Sequence, residues 1–228
     1  TEISDATPDL FSDEELALAE FPRLIRKAQE RKQDIEKVAQ ERGLSLEDLQ
    51  YATWLVTSRS FPLAMSQDEE TMAEFDDRGQ VLSKSEKERQ WIRILVPLLD
   101  LVNHSSNQPN CRMTIIDPHK DNAWFALTST KPISAGSELR IAYGSSVESS
   151  VELLQNYGFV PTANRIDSFM LKKGGDDCLA SVGDWSTTLE EDETMLKMAT
   201  ESDDSDETLA KILAFRVQLK KAYSEIED

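Results

Sequence analysis

The stretch from Val96 to Cys111 limits what this chain can fold into more than any other part of the sequence. An apolar run leads into Asp100, and Asn103-His104-Ser105 follows, just ahead of a segment rich in turn-forming residues. A carboxylate, an amide, an imidazole and a hydroxyl lie within six residues. They cannot be buried without partners, because each unpaired polar group costs ~1–3 kcal/mol. The cluster is therefore predicted to lie where a buried element ends, with partners supplied by the fold or by a ligand.

Taken alone, this cluster has a simpler interpretation, a polar turn after a core strand in which Asp100 and Ser105 cap backbone amides. Two later stretches favour a functional site. Residues 139–144, Leu-Arg-Ile-Ala-Tyr-Gly, predict a short strand that ends on Tyr143 at a glycine turn. Residues 153–159, Leu-Leu-Gln-Asn-Tyr-Gly-Phe, follow and carry Tyr157.

The three blocks in this order resemble the SET-domain methyltransferases, and most closely the branch that contains the Rubisco large-subunit lysine methyltransferase. The resemblance extends from about Leu49 to about Arg216. It implies an α+β fold of the SET type, with short β-strands and hairpins, a helical insert and the start of a helical C-terminal domain. It also implies a knot-like crossing, in which the Asn-His-Ser segment threads beneath the Tyr-Gly segment.

The resemblance further implies S-adenosylmethionine as the cofactor and a protein lysine, or another side-chain nitrogen, as the methyl acceptor, with a non-histone substrate favoured. Tyr143 is expected to be catalytic and to lie at the cofactor, presenting its hydroxyl to the transferred methyl group. Tyr157 is expected to be catalytic as a second hydroxyl or as a wall of the site. The plainer interpretation of both is ordinary packing of tyrosines in a strand and a helix.

Three further residues are expected to bind the cofactor. By resemblance, Arg59 approaches the cofactor carboxylate, although a cation at a helix C-terminus is also favoured by the helix dipole alone. Asn103 is expected at the amino-acid end of the cofactor and His104 at its adenine, partly through the His104 backbone. Asp100 is expected to brace the crossing.

Methyl transfer from a sulfonium to an amine is an in-line displacement that needs a neutral nucleophile and no metal. A lysine with its reference pKa of ~10.4 is protonated at neutral pH. An apolar channel with a tyrosine hydroxyl would disfavour that charged form. The chemistry therefore agrees with tyrosines as the central residues.

The composition bears on partners. Lys and Arg number 25 against 43 Asp and Glu, a net charge of −18. This balance argues against nonspecific binding of nucleic acid or an anionic membrane and favours a basic, lysine-bearing protein substrate. The two cysteines, Cys111 and Cys178, provide neither a disulfide framework nor a zinc cluster, and we predict no metal. The oligomeric state stays open.

No apolar run approaches the ~20 residues that span a bilayer, and no signal peptide is evident. We therefore expect a soluble, intracellular protein, in the cytoplasm, a plastid or the nucleus. Since the sequence does not begin with Met, a removed targeting segment stays open. SET enzymes carry a Gly-x-Gly-type turn with paired strands ahead of the helical insert, and none precedes Ser12. We expect a fragment that lacks the N-terminal part of the SET domain and is inactive alone.

The predicted domains are a helical insert (1–60), the C-terminal half of the SET domain (61–173) and the start of a helical substrate-binding domain (174–228). Residues 113–116 and 123–127 predict a β-hairpin, and residues 65–90 an exposed loop. His119, in the hairpin loop, is assigned no role. Residues 147–157 and 207–226 predict helices, and residues 168–171 a closing strand.

One departure from the family pattern leaves a second class of function open. Relatives carry Ser-Asn ahead of the short helix, where this chain has Ser149-Ser150. Ser150 can still cap the helix. The departure would permit a SET-like module that has lost catalysis and acts as an interaction domain.

Overall fold

A computed structural model describes residues 6–65, 74–75, 81–82, 90–117, 122–144, 148–201 and 206–227. The chain divides into two compact units. The first, Thr1–Ser58 with Val147–Asp228, is called the helical unit here, and the second, Arg59–Ser146, the strand unit. The predicted boundaries after residues 60 and 173 stay a prediction.

The N-terminal part of the helical unit contains α1 (Asp13–Ala17), α2 (Pro22–Arg42) and most of α3 (Leu46–Arg59). The spacing of Ser12 and Glu15 predicts a capping box for α1. The structure confirms it, because Ser12 N–H donates to Glu15 Oε2 at 2.7 Å and Glu15 N–H donates to Ser12 Oγ at 3.2 Å. Helix α2 begins at Pro22, where the missing N–H costs nothing. It ends at Gly43, whose φ of 62° is the left-handed conformation that glycine adopts easily.

The C-terminal part of the helical unit contains α4 (Ser150–Tyr157), α5 (Ile166–Lys173), α6 (Asp176–Gly183), α7 (Leu189–Glu201) and α8 (Glu207–Glu227). The predicted helices over 147–157 and 207–226 are confirmed with small shifts. The predicted closing strand at 168–171 is wrong, because these residues lie inside α5. Asp167, Met170 and Leu171 are buried. Their spacing of three and four residues defines one face of a helix, not the alternation of a strand.

The core of the helical unit joins its first and last helices. Phe21, at the start of α2, packs edge-on against Phe215 of α8 with ring centroids 5.8 Å apart, and against Trp185 at 6.4 Å. Such edge-to-face pairs add ~0.5–1.5 kcal/mol beyond the burial of apolar area. The segments from Phe11 to Ala28 and from Val151 to Ala222 therefore share one hydrophobic core.

The strand unit is built from pairs of short strands. Antiparallel pairs join β1 (Phe61–Met65) to β4 (Gln90–Ile94), β2 (Glu74–Phe75) to β3 (Val81–Leu82), and β6 (Cys111–Ile116) to β7 (Trp124–Ser129). The last pair confirms the predicted hairpin. Strands β5 (Asn103–His104) and β8 (Arg140–Ile141) pair in parallel. The predicted loop over 65–90 lies mostly outside the described residues, but where it is described it is wrong, because Glu74–Phe75 and Val81–Leu82 pair as strands. His119 lies wholly outside the described residues.

Candidate functional site

The candidate site is organised by the parallel pair of β5 and β8. Asn103 lies opposite Arg140 and His104 opposite Ile141, and the next residue, Ser105, donates its N–H to Ile141 O at 2.9 Å. Parallel strands need a crossover connection, which here includes the β6–β7 hairpin. The Asn-His-Ser block and the Tyr-Gly block are therefore neighbours, as predicted, although each strand is only two residues long.

The His104 ring links the two blocks. Its Nδ1 accepts the backbone N–H of Tyr143 at 2.9 Å, and its Nε2 lies 2.7 Å from Ser106 Oγ. A ring that accepts at Nδ1 carries its proton on Nε2, which then donates to Ser106. Burial lowers the pKa of His104 to about 4, so the ring is neutral at pH 7. Both ring nitrogens form hydrogen bonds within the fold. The expected contact with the adenine would therefore be made by the His104 backbone, and it stays a prediction.

Tyr143 is half-buried, with its ring centroid 5.0 Å from that of His104. Its hydroxyl donates to the backbone oxygen of Val102 at 2.8 Å. A tyrosine hydroxyl that donates its one proton still accepts through its oxygen lone pairs. The Val102 carbonyl therefore fixes the orientation of an oxygen that can receive a polarised C–H group.

Asn103 is exposed, and its amide is engaged with a carboxylate. Its Nδ2 donates to Glu138 Oε1 at 2.6 Å, while Arg140 Nε donates to Glu138 Oε2 at 2.8 Å. The hydrogen bond from Asn103 and then that from Arg140 lower the pKa of Glu138, so this carboxyl is ionised at neutral pH. A cofactor that binds Asn103 would use the second hydrogen of Nδ2, or Oδ1, next to Glu138, a residue to which the sequence assigned no role.

Arg59 lies at the start of the motif. Its Nη1 donates to the backbone oxygen of Asp100 at 3.3 Å. The guanidinium cation therefore lies beside Asp100, which is two residues before Val102. Asp100 Oδ1 is buried, and no group in the described part of the chain donates to it. The expected bracing by Asp100 therefore involves its backbone oxygen, and its carboxylate has an unused acceptor.

Tyr157 ends α4 and belongs to the helical unit, whereas Arg59, Asn103, His104 and Tyr143 lie in the strand unit. Helix α4 is capped by Ser149, not by Ser150 as predicted. Ser149 N–H donates to Glu152 Oε2 at 3.1 Å, and Glu152 N–H donates to Ser149 Oγ at 3.4 Å. This capping box was not predicted, although the Ser-x-x-Glu spacing encodes it.

Ser150 instead binds a buried carboxylate. Its N–H and its Oγ donate to the two oxygens of Asp167, each at 2.6 Å. Burial raises the pKa of Asp167, against the lowering effect of these hydrogen bonds. Ser149 and Ser150, which stand where the family pattern has Ser-Asn, thus both stabilise the start of α4.

The other end of α4 is held from α2. Arg31 donates to Gln155 O and Asn156 Oδ1, both at 2.8 Å, and pairs with the buried carboxylate of Asp9 at 3.4 Å. The guanidinium binds a carbonyl of the last helical turn, where the dipole favours a cation. Arg31 therefore fixes Asn156, the residue before Tyr157. The many charged residues of α2 did not suggest this contact.

The family model of the SET domain matches residues 6–144. Since this is more than half of the chain, the protein belongs to the SET-domain family. The match begins well ahead of Leu49, where the motifs had placed the start of the resemblance. No curated protein matches the sequence.

Solved structures of one relative share the fold. The SET domain of LSMT bound to lysine and AdoHcy is 16% identical, with a TM-score of 0.56, over 99% of this chain and 68% of that chain. Rubisco LSMT bound to AdoMet is 16% identical, with a TM-score of 0.55, over 98% of this chain and 67% of that chain. At this identity the likeness shows the fold, and the expected SET-type α+β architecture is confirmed.

The described residues hold no set of three or more His, Cys, Asp or Glu side chains placed to bind a metal ion. Within the same residues, every helix is too short or too polar to cross a membrane.

Proposed function

We propose that the protein transfers a methyl group from S-adenosylmethionine to the side-chain nitrogen of a lysine, or of another residue, in a non-histone protein. The observation that carries the proposal is the hydroxyl of Tyr143, which donates to Val102 O at 2.8 Å beside the Asn103-His104 strand. Structural neighbours of this fold bind lysine with AdoHcy, or AdoMet. The net charge of −18 suits a basic protein substrate.

The residues around β5 fit the amino-acid end of the cofactor, which carries a carboxylate and an ammonium group. Arg59 supplies a cation for the carboxylate, next to the start of the motif. The Asp100 Oδ1 lacks a donor among the described residues, and an ammonium would supply one. Asn103 contributes an amide that now binds Glu138. We assign the cofactor to these residues and to the backbone of His104.

When bound, the cofactor supplies a methyl group on a sulfonium, and the N–C bond forms as the S–C bond breaks. In this proposal the Tyr143 oxygen accepts weak C–H···O contacts from the polarised methyl group. The Val102 carbonyl holds the hydroxyl proton away from that path. The lysine reacts as the neutral amine and releases a proton after transfer, and partial burial lowers the pKa of such an amine. Tyr157 is proposed as a second catalytic hydroxyl or wall on the order of the motif blocks alone.

A second candidate function is a SET-like interaction module without catalysis. The contact between Asn103 and Glu138 favours it, since the amide expected at the cofactor already has a charged partner. Cofactor binding separates the two candidates. An interaction module has no need of S-adenosylmethionine, whereas a methyltransferase must bind it.

The test uses the full-length protein that contains this chain, because the sequence predicts that the chain alone is inactive. Calorimetry measures binding of S-adenosylmethionine, and transfer of labelled methyl is then followed on a panel of lysine-rich proteins. Tyr143→Phe is compared with Tyr51→Phe, which changes an exposed tyrosine of α3. The methyltransferase proposal expects micromolar binding in all three proteins and a rate of transfer lowered at least tenfold in Tyr143→Phe only. Absence of cofactor binding by the wild-type protein overturns it in favour of the interaction module.

A further inference from the structure

We propose that Asn110 is a positioning residue for Tyr143, an inference that rests on the proposed methyltransferase function. The side-chain amide of Asn110 binds the backbone of β8 and of the residues before it. Its Oδ1 accepts the N–H of Arg140 at 2.8 Å, and its Nδ2 donates to the backbone oxygen of Glu138 at 2.9 Å. An asparagine side chain offers a donor and an acceptor side by side, as a strand backbone does.

The backbone of Asn110 completes the arrangement. Its N–H donates to Arg140 O at 3.0 Å, and its carbonyl accepts the N–H of Thr130 at 2.9 Å. Asn110 directly precedes β6, and Thr130 directly follows β7. The residue therefore ties the base of the hairpin to β8 through its main chain and its side chain together.

These contacts close the edge of β8 that faces away from β5. Arg140 directs both its N–H and its carbonyl to Asn110, while Ile141 directs its carbonyl to Ser105 on the opposite side. Alternate residues of a strand point their hydrogen-bonding groups to opposite sides. Asn110 thus forms with β8 the hydrogen bonds that a neighbouring strand would form.

The position of Tyr143 depends on this register. Its N–H binds His104 Nδ1 in β5, and its hydroxyl binds Val102 O, one residue before β5. The ladder between β5 and β8 is only two residues long. Short ladders specify register weakly, and a slip by one residue moves a side chain to the other face and shifts it by ~3.3 Å. Asn110 supplies the contacts that fix β8, and through β8 the Tyr143 hydroxyl.

The first arm of the test reads the position of Tyr143 without any activity. In the wild type, nitrogen NMR of the His104 ring should show the neutral form protonated on Nε2, with the pKa lowered to about 4 by burial. Asn110→Ala should release the contact between Tyr143 N–H and Nδ1, so that the neutral His104 ring populates both tautomers. The only other histidine is His119, and His119→Gln assigns the signals.

The second arm measures turnover with a methyl acceptor. Asn110→Ala should lower kcat at least tenfold and change the KM for S-adenosylmethionine less than threefold, because the displaced group is at the methyl and not at the amino-acid end. Asn122→Ala is the matched control, since Asn122 is exposed in the hairpin. Asn110→Asp keeps the acceptor for Arg140 N–H and loses the donor to Glu138 O, so its kcat should fall between the other two.

The outcomes separate this inference from the proposed function. An unchanged His104 tautomer in Asn110→Ala overturns the positioning role, whatever the activity. A changed His104 signal with unchanged kcat overturns it as well, because Tyr143 then needs no positioning. If the wild type transfers no methyl group, the proposed function fails, and with it the positioning role, while the NMR arm still reports the structural link. If Asn110→Ala does not fold by circular dichroism, Asn110→Asp decides through the same two measurements.

Discussion

A buried ion cluster in the helical unit predicts a large effect of one substitution on stability. Asp192 of α7 is fully buried and accepts hydrogen bonds from Arg216 Nε at 3.0 Å and from Lys220 Nζ at 2.6 Å. Both cations of α8 are themselves buried. Asp192→Asn removes the charge without changing the volume, so it leaves two buried cations facing an amide.

The magnitude follows from what remains around each cation. Breaking a buried pair by removing one partner costs ~3–5 kcal/mol. Arg216 keeps Glu20 at 2.9 Å, and Lys220 keeps a carbonyl oxygen of Thr188 at 3.1 Å. Because both cations retain partners, we expect the lower end, ~3 kcal/mol in the free energy of unfolding. For a chain of this size such a loss lowers Tm by roughly 6–12 °C.

The assay is urea unfolding followed by circular dichroism, with Glu193→Gln as the matched control. Glu193 is the next residue of α7 and pairs with Lys221 at 2.7 Å, but both side chains are about half exposed. An exposed pair contributes ~0–1 kcal/mol. A loss below 1 kcal/mol in Asp192→Asn, or equal losses in the two variants, would refute the reasoning.

The same cluster predicts a dependence on pH. Burial by itself raises the pKa of Asp192, but hydrogen bonds from Lys220, Thr187 and Arg216 outweigh it and leave the pKa below its usual value. A carboxyl with a lowered pKa in the folded state stabilises above its unfolded pKa of ~3.9 and loses that contribution as pH falls through the folded value. The difference between the wild type and Asp192→Asn should therefore shrink below about pH 4. A constant difference from pH 7 to pH 3 would contradict this cause.

Three further substitutions and one control test the site and its supports. Tyr143→Phe should lower turnover tenfold or more, equivalent to about 1.4 kcal/mol, with S-adenosylmethionine affinity unchanged by calorimetry. Asn103→Ala should weaken cofactor binding by ~1.5–3 kcal/mol while Tm stays the same, since Asn103 is exposed; unchanged affinity with a lower Tm would make Asn103 structural. Arg31→Ala leaves the buried Asp9 unpaired and should cost ~2–3 kcal/mol in unfolding experiments. Arg26→Ala, at a highly exposed pair, should cost under ~0.5 kcal/mol.

Elements that depend on neighbouring residues were predictable from the sequence. The capping box at Ser12, the end of α2 at Gly43 and the β6–β7 hairpin each follow from residues a few positions apart. Residues 168–171 were assigned to the wrong class, because a short apolar run does not distinguish a strand from one turn of a buried helix. These residues contact α8, which is distant in the sequence, and this contact favours the helix. Ser168 Oγ donates to Glu225 Oε2 at 2.7 Å.

The contacts within the site were less accessible. A strand of two residues is too short for any periodic pattern, so the pairing of β5 with β8 could only come from the family resemblance. Glu138 and Asn110 were missed for a related reason. Asn110 binds backbone atoms 28 and 30 residues away, and a backbone atom leaves no trace in the sequence of its partner. The only sequence feature at Asn110 is its place after a proline in a segment rich in turn-forming residues, and this does not show what its side chain binds.

The motif residues have structural partners of their own, and this limits what the motif says about function. The His104 ring is bonded at both nitrogens, the Asn103 amide is bonded to Glu138, and the Tyr143 hydroxyl is bonded to Val102. A chain could keep all three residues to hold its crossing together and catalyse nothing. The structural and the catalytic role of such a residue differ in which measured quantity its removal changes. A structural hydrogen bond costs ~0.5–1.5 kcal/mol of stability when removed, and a catalytic one costs turnover at constant stability. The loss of turnover in Tyr143→Phe beyond its loss of stability is therefore the quantity that separates an enzyme from a SET-like binding module.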